Sequence, residues 1–214
     1  MNEKGILLFG GTFDPIHHGH LIISRGAAEQ LGVKKIILIP SAVPPHKQGK
    51  NFTEAEIRLE LVRLAVEGDA LFEVSDCELH RQGPSYTLET VRYFRAALGP
   101  EEPLYWLIGA DSVQELPGWY RIRQLVEECT IVTAGRPGCP CCCWDRFQNI
   151  LEARQIARLQ KYLLPTPLVD ISATEIRRRV HNGLSIRYLV PKPVCDFIRE
   201  NNLYQRFPAG GQGS

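Results

Sequence analysis

The sequence predicts an α/β fold built on an open parallel sheet with helices on both faces. Short runs rich in Val, Ile and Leu alternate with amphipathic stretches of helical length, which is the order of repeated βαβ units. The runs are almost continuously apolar, as expected for parallel strands that are covered on both faces. Because ligands of such folds bind at the carboxyl ends of the strands, the residues that follow each strand are candidates for function.

The individual elements follow from the same pattern. Apolar runs predict strands at residues 6–9, 35–39, 71–74, 104–108, 130–133 and 168–171. A helix is predicted at 53–67, where apolar residues recur at helical spacing and Thr53 and Glu56 have the spacing of a capping box. Further helices are predicted at residues 21–31, 87–98, 144–162 and 193–201.

We expect a single domain over residues 1–206, with a small helical C-terminal part from about residue 172. Residues 207–214 are rich in Gly, Pro, Gln and Ser and are expected to form a disordered tail.

The composition is that of an ordinary globular protein. Of 214 residues, 44% are hydrophobic and 23% charged, and 25 Lys and Arg balance 24 Asp and Glu for a net charge of +1. This balance argues against a nucleic-acid partner bound through a basic face. Because the sequence contains no long apolar run and no signal-peptide core, we expect no membrane association and a cytoplasmic location. Seven cysteines, an odd number, favour reduced thiols.

A loop rich in glycine and histidine follows the first predicted strand. Gly10 and Gly11 let the backbone approach a ligand closely, and the following helix offers unpaired amides to an anion. His17 and His20 are three residues apart and would lie on one face. The loop predicts a phosphate site. A simple turn and a zinc site remain alternatives, although a third zinc ligand at a typical spacing is missing.

A second polar block follows the last predicted strand. Ser172 and Glu175 have capping-box spacing, so a helix is expected to begin there. Its free amides, the Thr174 hydroxyl and the Arg177 guanidinium could together hold a triphosphate. The neighbouring residues Arg178 and Arg179 are interpreted as a solvated face, because three successive helical residues cannot all face one ligand.

Three loops in the middle of the chain carry further candidates. His46 and Lys47 follow two prolines after the second strand, and Tyr86 and Thr87 open a helix. Asp111 ends a strand, where it could accept from a ribose hydroxyl or a magnesium-bound water; alternatively, it only caps a helix. Trp119 and Tyr120 could stack on an aromatic ring, although such pairs are more often core residues.

Five residues at 139–143 include four cysteines. The segment has one C-x-x-C pair, whereas a structural zinc site usually needs two such pairs or histidines at fixed spacing. We interpret it as a surface loop.

These motifs resemble a known family. Gly-Gly-Thr-Phe-Asp-Pro-Ile-His-x-Gly-His at 10–20 is similar to the extended H-x-G-H signature of bacterial nicotinate-nucleotide adenylyltransferases, which belong to the nucleotidyltransferase superfamily. Ile-Ser-Ala-Thr-Glu-Ile-Arg at 171–177 resembles the family's I-S-x-T-x-I-R signature, and Pro-Pro-His-Lys at 44–47 its P-P-H-K loop. The resemblance covers nearly the whole chain.

The resemblance implies a Rossmann-like nucleotidyltransferase fold and adenylyl transfer from ATP to nicotinate mononucleotide in NAD biosynthesis. It implies catalytic roles for His17, His20 and Arg177. The implied ATP and phosphate contacts are Gly10, Gly11, Thr12, Phe13, Lys47, Ser172 and Thr174. The implied contacts to the mononucleotide are Asp14, His46, Tyr86, Thr87, Asp111, Trp119 and Tyr120.

Mg²⁺ would be held by phosphates and water, with Asp111 as the one candidate side chain. The sequence leaves monomer and homo-oligomer open. It also leaves open a sister enzyme that uses nicotinamide mononucleotide or pantetheine phosphate, and a non-catalytic nucleotide-binding regulator.

Overall fold

A computed structural model describes residues 5–44, 52–135, 144–167 and 169–205. The strands are β1 (Ile6–Gly11), β2 (Lys35–Pro40), β3 (Phe72–Val74), β4 (Leu104–Gly109), β5 (Thr130–Gly135) and β6 (Leu163–Pro165). The α-helices are α1 (His18–Leu31), α2 (Ala55–Val66), α3 (Thr87–Leu98), α4 (Ile122–Glu128), α5 (Ala153–Lys161), α6 (Ala173–His181) and α7 (Lys192–Glu200). Short 3₁₀ helices lie at Ala110–Gln114, Leu116–Gly118 and Trp144–Phe147.

The six strands form one parallel sheet in the order β3-β2-β1-β4-β5-β6. The chain runs outward from β1 to one edge and then returns to β4 on the other side of β1. The carboxyl ends of β1 and β4 therefore flank the topological switch point, which is where open α/β sheets bind ligands. The predicted fold class is confirmed.

Alternate residues of the central strands point into two separate cores. Leu7 and Phe9 of β1 belong to the core on one face of the sheet, whereas Ile6 and Leu8 belong to the core on the other. Burial on both faces explains why the strand reads as a continuous apolar run. The sheet is therefore held between two layers of helices.

Two predicted elements are wrong. The last strand is Leu163–Pro165 rather than 168–171: Leu168 lies outside the described residues, and 169–171 are not in a strand. β6 pairs only with β5 and is half-buried or exposed, so it lacks the apolar run of a central strand. The helix predicted at 144–162 is broken. A 3₁₀ turn precedes α5, which begins where Glu152 and Gln155 form a capping box.

The predicted cap at Thr53 is also wrong, because Glu54 occupies the N-cap position of α2 and no side chain caps it. At α6, by contrast, Ser172 is the N-cap and its hydroxyl accepts from the Glu175 amide at 3.1 Å. The cysteine-rich segment 139–143 and the tail 207–214 lie outside the described residues. No helix within the described ranges is long and apolar enough to cross a membrane.

Candidate active site

Two cavities meet at the carboxyl ends of β1 and β4. The first, about 600 Å³ in volume, is lined by His17 and His20 of the first loop and by the start of α6; we call it the phosphate cavity. The second, about 210 Å³, is lined by Tyr86, Trp119 and Tyr120; we call it the aromatic cavity. Six residues line both cavities, and we call them the shared floor: Phe9, Gly10, Gly11, Thr12, Gly109 and Ser112. A molecule in one cavity can therefore touch a molecule in the other.

His17 and His20 come together in the phosphate cavity, as their spacing predicts. Their rings stack with centroids 3.6 Å apart and an interplanar angle of 22°. The backbone N–H of His17 donates to Nδ1 of His20 at 3.3 Å, so Nδ1 of His20 acts as an acceptor. The neutral His20 ring then carries its proton on Nε2. The edge of the Phe13 ring packs against His20 at a centroid distance of 5.1 Å.

Gly19 makes room for this stack. A Cβ atom at position 19 would lie 3.0 Å from Nδ1 and 3.1 Å from Cε1 of His17, closer than ordinary van der Waals contact. Any other residue at position 19 would therefore push the His17 ring away. The glycine of the H-x-G-H motif has a steric function here rather than a conformational one.

The His17 imidazole is neutral at physiological pH. Burial, together with the smaller effect of the neighbouring His18, lowers its pKa from 6.5 to about 4. A neutral imidazole still donates one N–H hydrogen bond to an oxygen. Two charged rings at this separation would repel each other, so a neutral His17 is also compatible with the stack.

Of the three successive arginines on α6, only Arg177 lines the phosphate cavity. Its guanidinium donates to the Asp14 carbonyl at 2.6 Å and to the Thr174 hydroxyl at 3.3 Å. Arg178 pairs with Glu175 at 2.7 Å, and Arg179 donates to the Ser185 carbonyl. Arg178 and Arg179 therefore do not face the cavity, as the geometry of the helix predicts.

The aromatic cavity brings together the candidates from the middle of the chain. Tyr86 and Tyr120 stack with centroids 4.3 Å apart, and Trp119 and Thr87 line the same space. Tyr86 is the N-cap of α3 and no side chain caps this helix. The start of α3 therefore presents backbone N–H groups, which favour an anionic group, beside a cluster of aromatic rings.

Comparison with known proteins identifies the relatives of this chain. A family model described as cytidylyltransferase-like matches residues 8–179. The chain is 40% identical over 202 residues to "Probable nicotinate-nucleotide adenylyltransferase" of Moorella thermoacetica. The aligned region covers 92% of this chain and 90% of that protein. It is 41% identical over 204 residues to the protein of the same name from Geobacillus thermodenitrificans, covering 95% and 87%.

The chain belongs to the nicotinate-nucleotide adenylyltransferase family. The resemblance seen in the sequence is thereby confirmed. Among solved structures, Plasmodium falciparum nicotinic acid mononucleotide adenylyltransferase complexed with NaAD superposes with a TM-score of 0.73, covering 95% of this chain and 98% of that chain. The same enzyme complexed with APC gives a TM-score of 0.71. Both are 19% identical to this chain, so they support the fold alone.

Two candidate contacts of this nicotinate-nucleotide adenylyltransferase family member lie elsewhere than the sequence suggested. Asp14 is buried at the wall of the phosphate cavity, where both of its carboxylate oxygens accept hydrogen bonds from the protein, from Tyr204 and from the Thr53 amide. Asp111 lies in a 3₁₀ helix and lines the phosphate cavity, not the aromatic one. His46 and Lys47 lie outside the described residues.

Four residues that line or support the two cavities of this adenylyltransferase family member were not predicted from the sequence. Trp106, Ser41 and Glu78 line the aromatic cavity, and Arg58 lies buried beneath its floor. Burial raises the pKa of Glu78, although its hydrogen bond from the Thr90 hydroxyl at 2.6 Å opposes the shift. None of the four belongs to a recognisable motif, so only their positions in the fold identify them.

Proposed function

We propose that this enzyme transfers the adenylyl group of ATP to the 5′-phosphate of nicotinate mononucleotide, which yields nicotinate adenine dinucleotide and pyrophosphate. The observation that carries the proposal is the junction of the two cavities. The histidines and Arg177 line one cavity, and the aromatic residues line the other. A triphosphate in the first and a pyridine nucleotide in the second would bring the reacting phosphates together over the glycine floor.

The reaction needs positioning and charge stabilisation rather than a general base. A phosphate monoester is already anionic at neutral pH and can attack the α-phosphorus in line, while pyrophosphate leaves on the opposite side. We assign the His17 N–H to an oxygen of the α-phosphate. His20 and Arg177 then stabilise the departing pyrophosphate, supported by Ser172 and Thr174 at the start of α6. No covalent intermediate with the enzyme is involved.

The family's chemistry implies a divalent cation that neutralises phosphate charge. Among the described residues no three His, Cys, Asp or Glu side chains form a metal-binding group. Mg²⁺ fits such a site, because it is commonly held by one or two carboxylates, substrate phosphates and water. Asp111, an exposed carboxylate in the phosphate cavity, is the side chain that would reach it.

The aromatic cavity supports the acid form of the acceptor. A nicotinate carboxylate at the start of α3 would gain about 0.3–2 kcal/mol from the helix dipole, which corresponds to roughly a 2- to 30-fold preference over the neutral amide. Pantetheine phosphate has no aromatic ring to use the stacking surface of Tyr86, Trp119 and Tyr120.

The test offers the purified protein ATP with nicotinate mononucleotide, nicotinamide mononucleotide or pantetheine phosphate and follows pyrophosphate. We expect nicotinate mononucleotide to give the highest kcat/KM. Equal values for acid and amide would refute the role of α3. Higher activity with pantetheine phosphate would refute the assigned acceptor, and no pyrophosphate release with any acceptor would favour a non-catalytic regulator.

A matched pair of variants locates the acceptor site. Tyr120→Ala removes one stacking surface and should raise the KM for the mononucleotide by about 2- to 10-fold, with the KM for ATP unchanged. Tyr93→Ala removes a tyrosine that is 55% exposed and lies outside both cavities, so neither constant should change.

A further inference from the structure

A fully buried arginine lies beneath the floor that the two cavities share. Arg58, on α2, is 1% exposed. Its guanidinium donates to three backbone carbonyls: Nε to Thr53 at 2.8 Å, Nη1 to Thr12 at 2.6 Å and Nη2 to Ser41 at 2.8 Å. Thr12 follows β1 and Ser41 follows β2, and both line the aromatic cavity. One side chain therefore fixes the two loops on which the substrates would meet.

This arrangement is costly, because the three acceptors are neutral while the guanidinium is charged and buried. Burial lowers the pKa of Arg58, and the negative charge of Asp14 opposes that shift. Arginine presents five N–H donors in a rigid fork, whereas lysine has three donors at a single point. Only the arginine fork reaches three carbonyls that lie in different directions.

Asp14 links Arg58 to the opposite end of the chain. Its Oδ1 accepts from the Tyr204 hydroxyl at 2.7 Å, and its Oδ2 accepts from the Thr53 amide at 3.3 Å. Its carbonyl accepts from Arg177 at 2.6 Å. Burial raises the pKa of Tyr204, so the hydroxyl remains a donor. The first loop is thereby held from three sides, by Arg58 from α2, Arg177 from α6 and Tyr204 from the C-terminal segment.

We infer that Arg58, Asp14 and Tyr204 form a positioning set that holds the first loop so that His17 and Arg177 act on the same phosphate chain. The inference rests on the proposed adenylyl transfer and deepens it. None of the three needs to touch substrate. Their effect should appear in kcat rather than in KM, because a displaced loop still binds both nucleotides but misaligns the groups that stabilise the transition state.

The test uses Tyr204→Phe, which removes one hydroxyl and keeps the ring, and Arg58→Lys, which keeps the charge and loses the fork. We expect kcat to fall about tenfold in Tyr204→Phe and more in Arg58→Lys, with each KM within twofold of wild type. The matched control is Tyr105→Phe. Tyr105 is half-buried near the amino end of β4, away from both cavities, and its kcat should not change.

A double variant separates positioning from general destabilisation. If Tyr204 acts through the His17 loop, Tyr204→Phe should cause little further loss of kcat in a His17→Ala background. An additive loss, or a Tyr204→Phe enzyme with wild-type kcat, would overturn the inference. An inactive wild-type enzyme would instead overturn the proposed function, so the two failures are distinguishable. If Arg58→Lys does not fold, Tyr204→Phe and the double variant still decide the matter.

Discussion

Substitution of Gly19 by alanine tests how closely catalysis depends on the histidine stack. The new Cβ would lie 3.0 and 3.1 Å from two atoms of the His17 ring, whereas ordinary contact begins at 3.4 Å. The ring must therefore withdraw by 0.3–0.4 Å, the difference between these distances. Since a displacement of about 1 Å can cost about 100-fold in rate, we expect kcat to fall roughly four- to sixfold.

Stability should respond differently. Alanine is favoured over glycine in a helix by up to about 1 kcal/mol, which offsets the crowding, so the free energy of unfolding should change little. Gly26→Ala, on the same helix, is the control. Its Cβ would meet only Pro167 at 3.8 Å, and it should stabilise the protein with kcat unchanged. Pyrophosphate release and chemical denaturation measure both quantities. Wild-type kcat in Gly19→Ala would refute the steric function of this glycine.

Three further results are expected. His17→Ala should lower kcat by about 100- to 1,000-fold in the pyrophosphate assay, as for the loss of one oxyanion donor, and a parental rate would contradict its assignment. The pKa of His17 is lowered from 6.5 to about 4 in the folded chain, so the unfolded chain binds a proton at this residue first as the pH falls. The free energy of unfolding should therefore decrease by as much as about 3 kcal/mol as the pH is lowered from 6.5 to 4. Denaturation at several pH values should show less of this loss in His17→Gln, and equal loss would be evidence against a depressed pKa. Ser172→Ala removes the N-cap of α6 and should cost about 0.5–2 kcal/mol in denaturant unfolding, together with a higher KM for ATP; unchanged stability would show that the cap contributes nothing.

The sequence predicted those elements whose signal is local. The central strands β1, β2, β4 and β5 are apolar along most of their length because both faces are buried. The edge strand β6 has one neighbour and no such run. The apolar residues Val169 and Ile171, which the sequence places in a predicted strand, line the phosphate cavity instead. Apolar character alone does not distinguish a strand from a cavity wall.

In the site, too, the sequence predicted the residues of local motifs and not those held by contacts between distant segments. His17, His20 and Arg177 were found because each lies in a motif whose chemistry is readable from a few neighbouring residues. Arg58 was missed because its three acceptors come from separate loops. The failed cap at Thr53 has the same cause. The amide of Thr53 donates to Asp14 and the carbonyl of Thr53 accepts from Arg58. These tertiary hydrogen bonds override the capping signal.

The most direct test of the account follows a label in the α-phosphate of ATP during turnover with nicotinate mononucleotide. In-line transfer at the junction of the two cavities predicts that the label enters the dinucleotide, in equal amount with the pyrophosphate released, and that none is bound to the protein. Label bound covalently to the enzyme, or release of ADP and phosphate in place of pyrophosphate, would contradict the account.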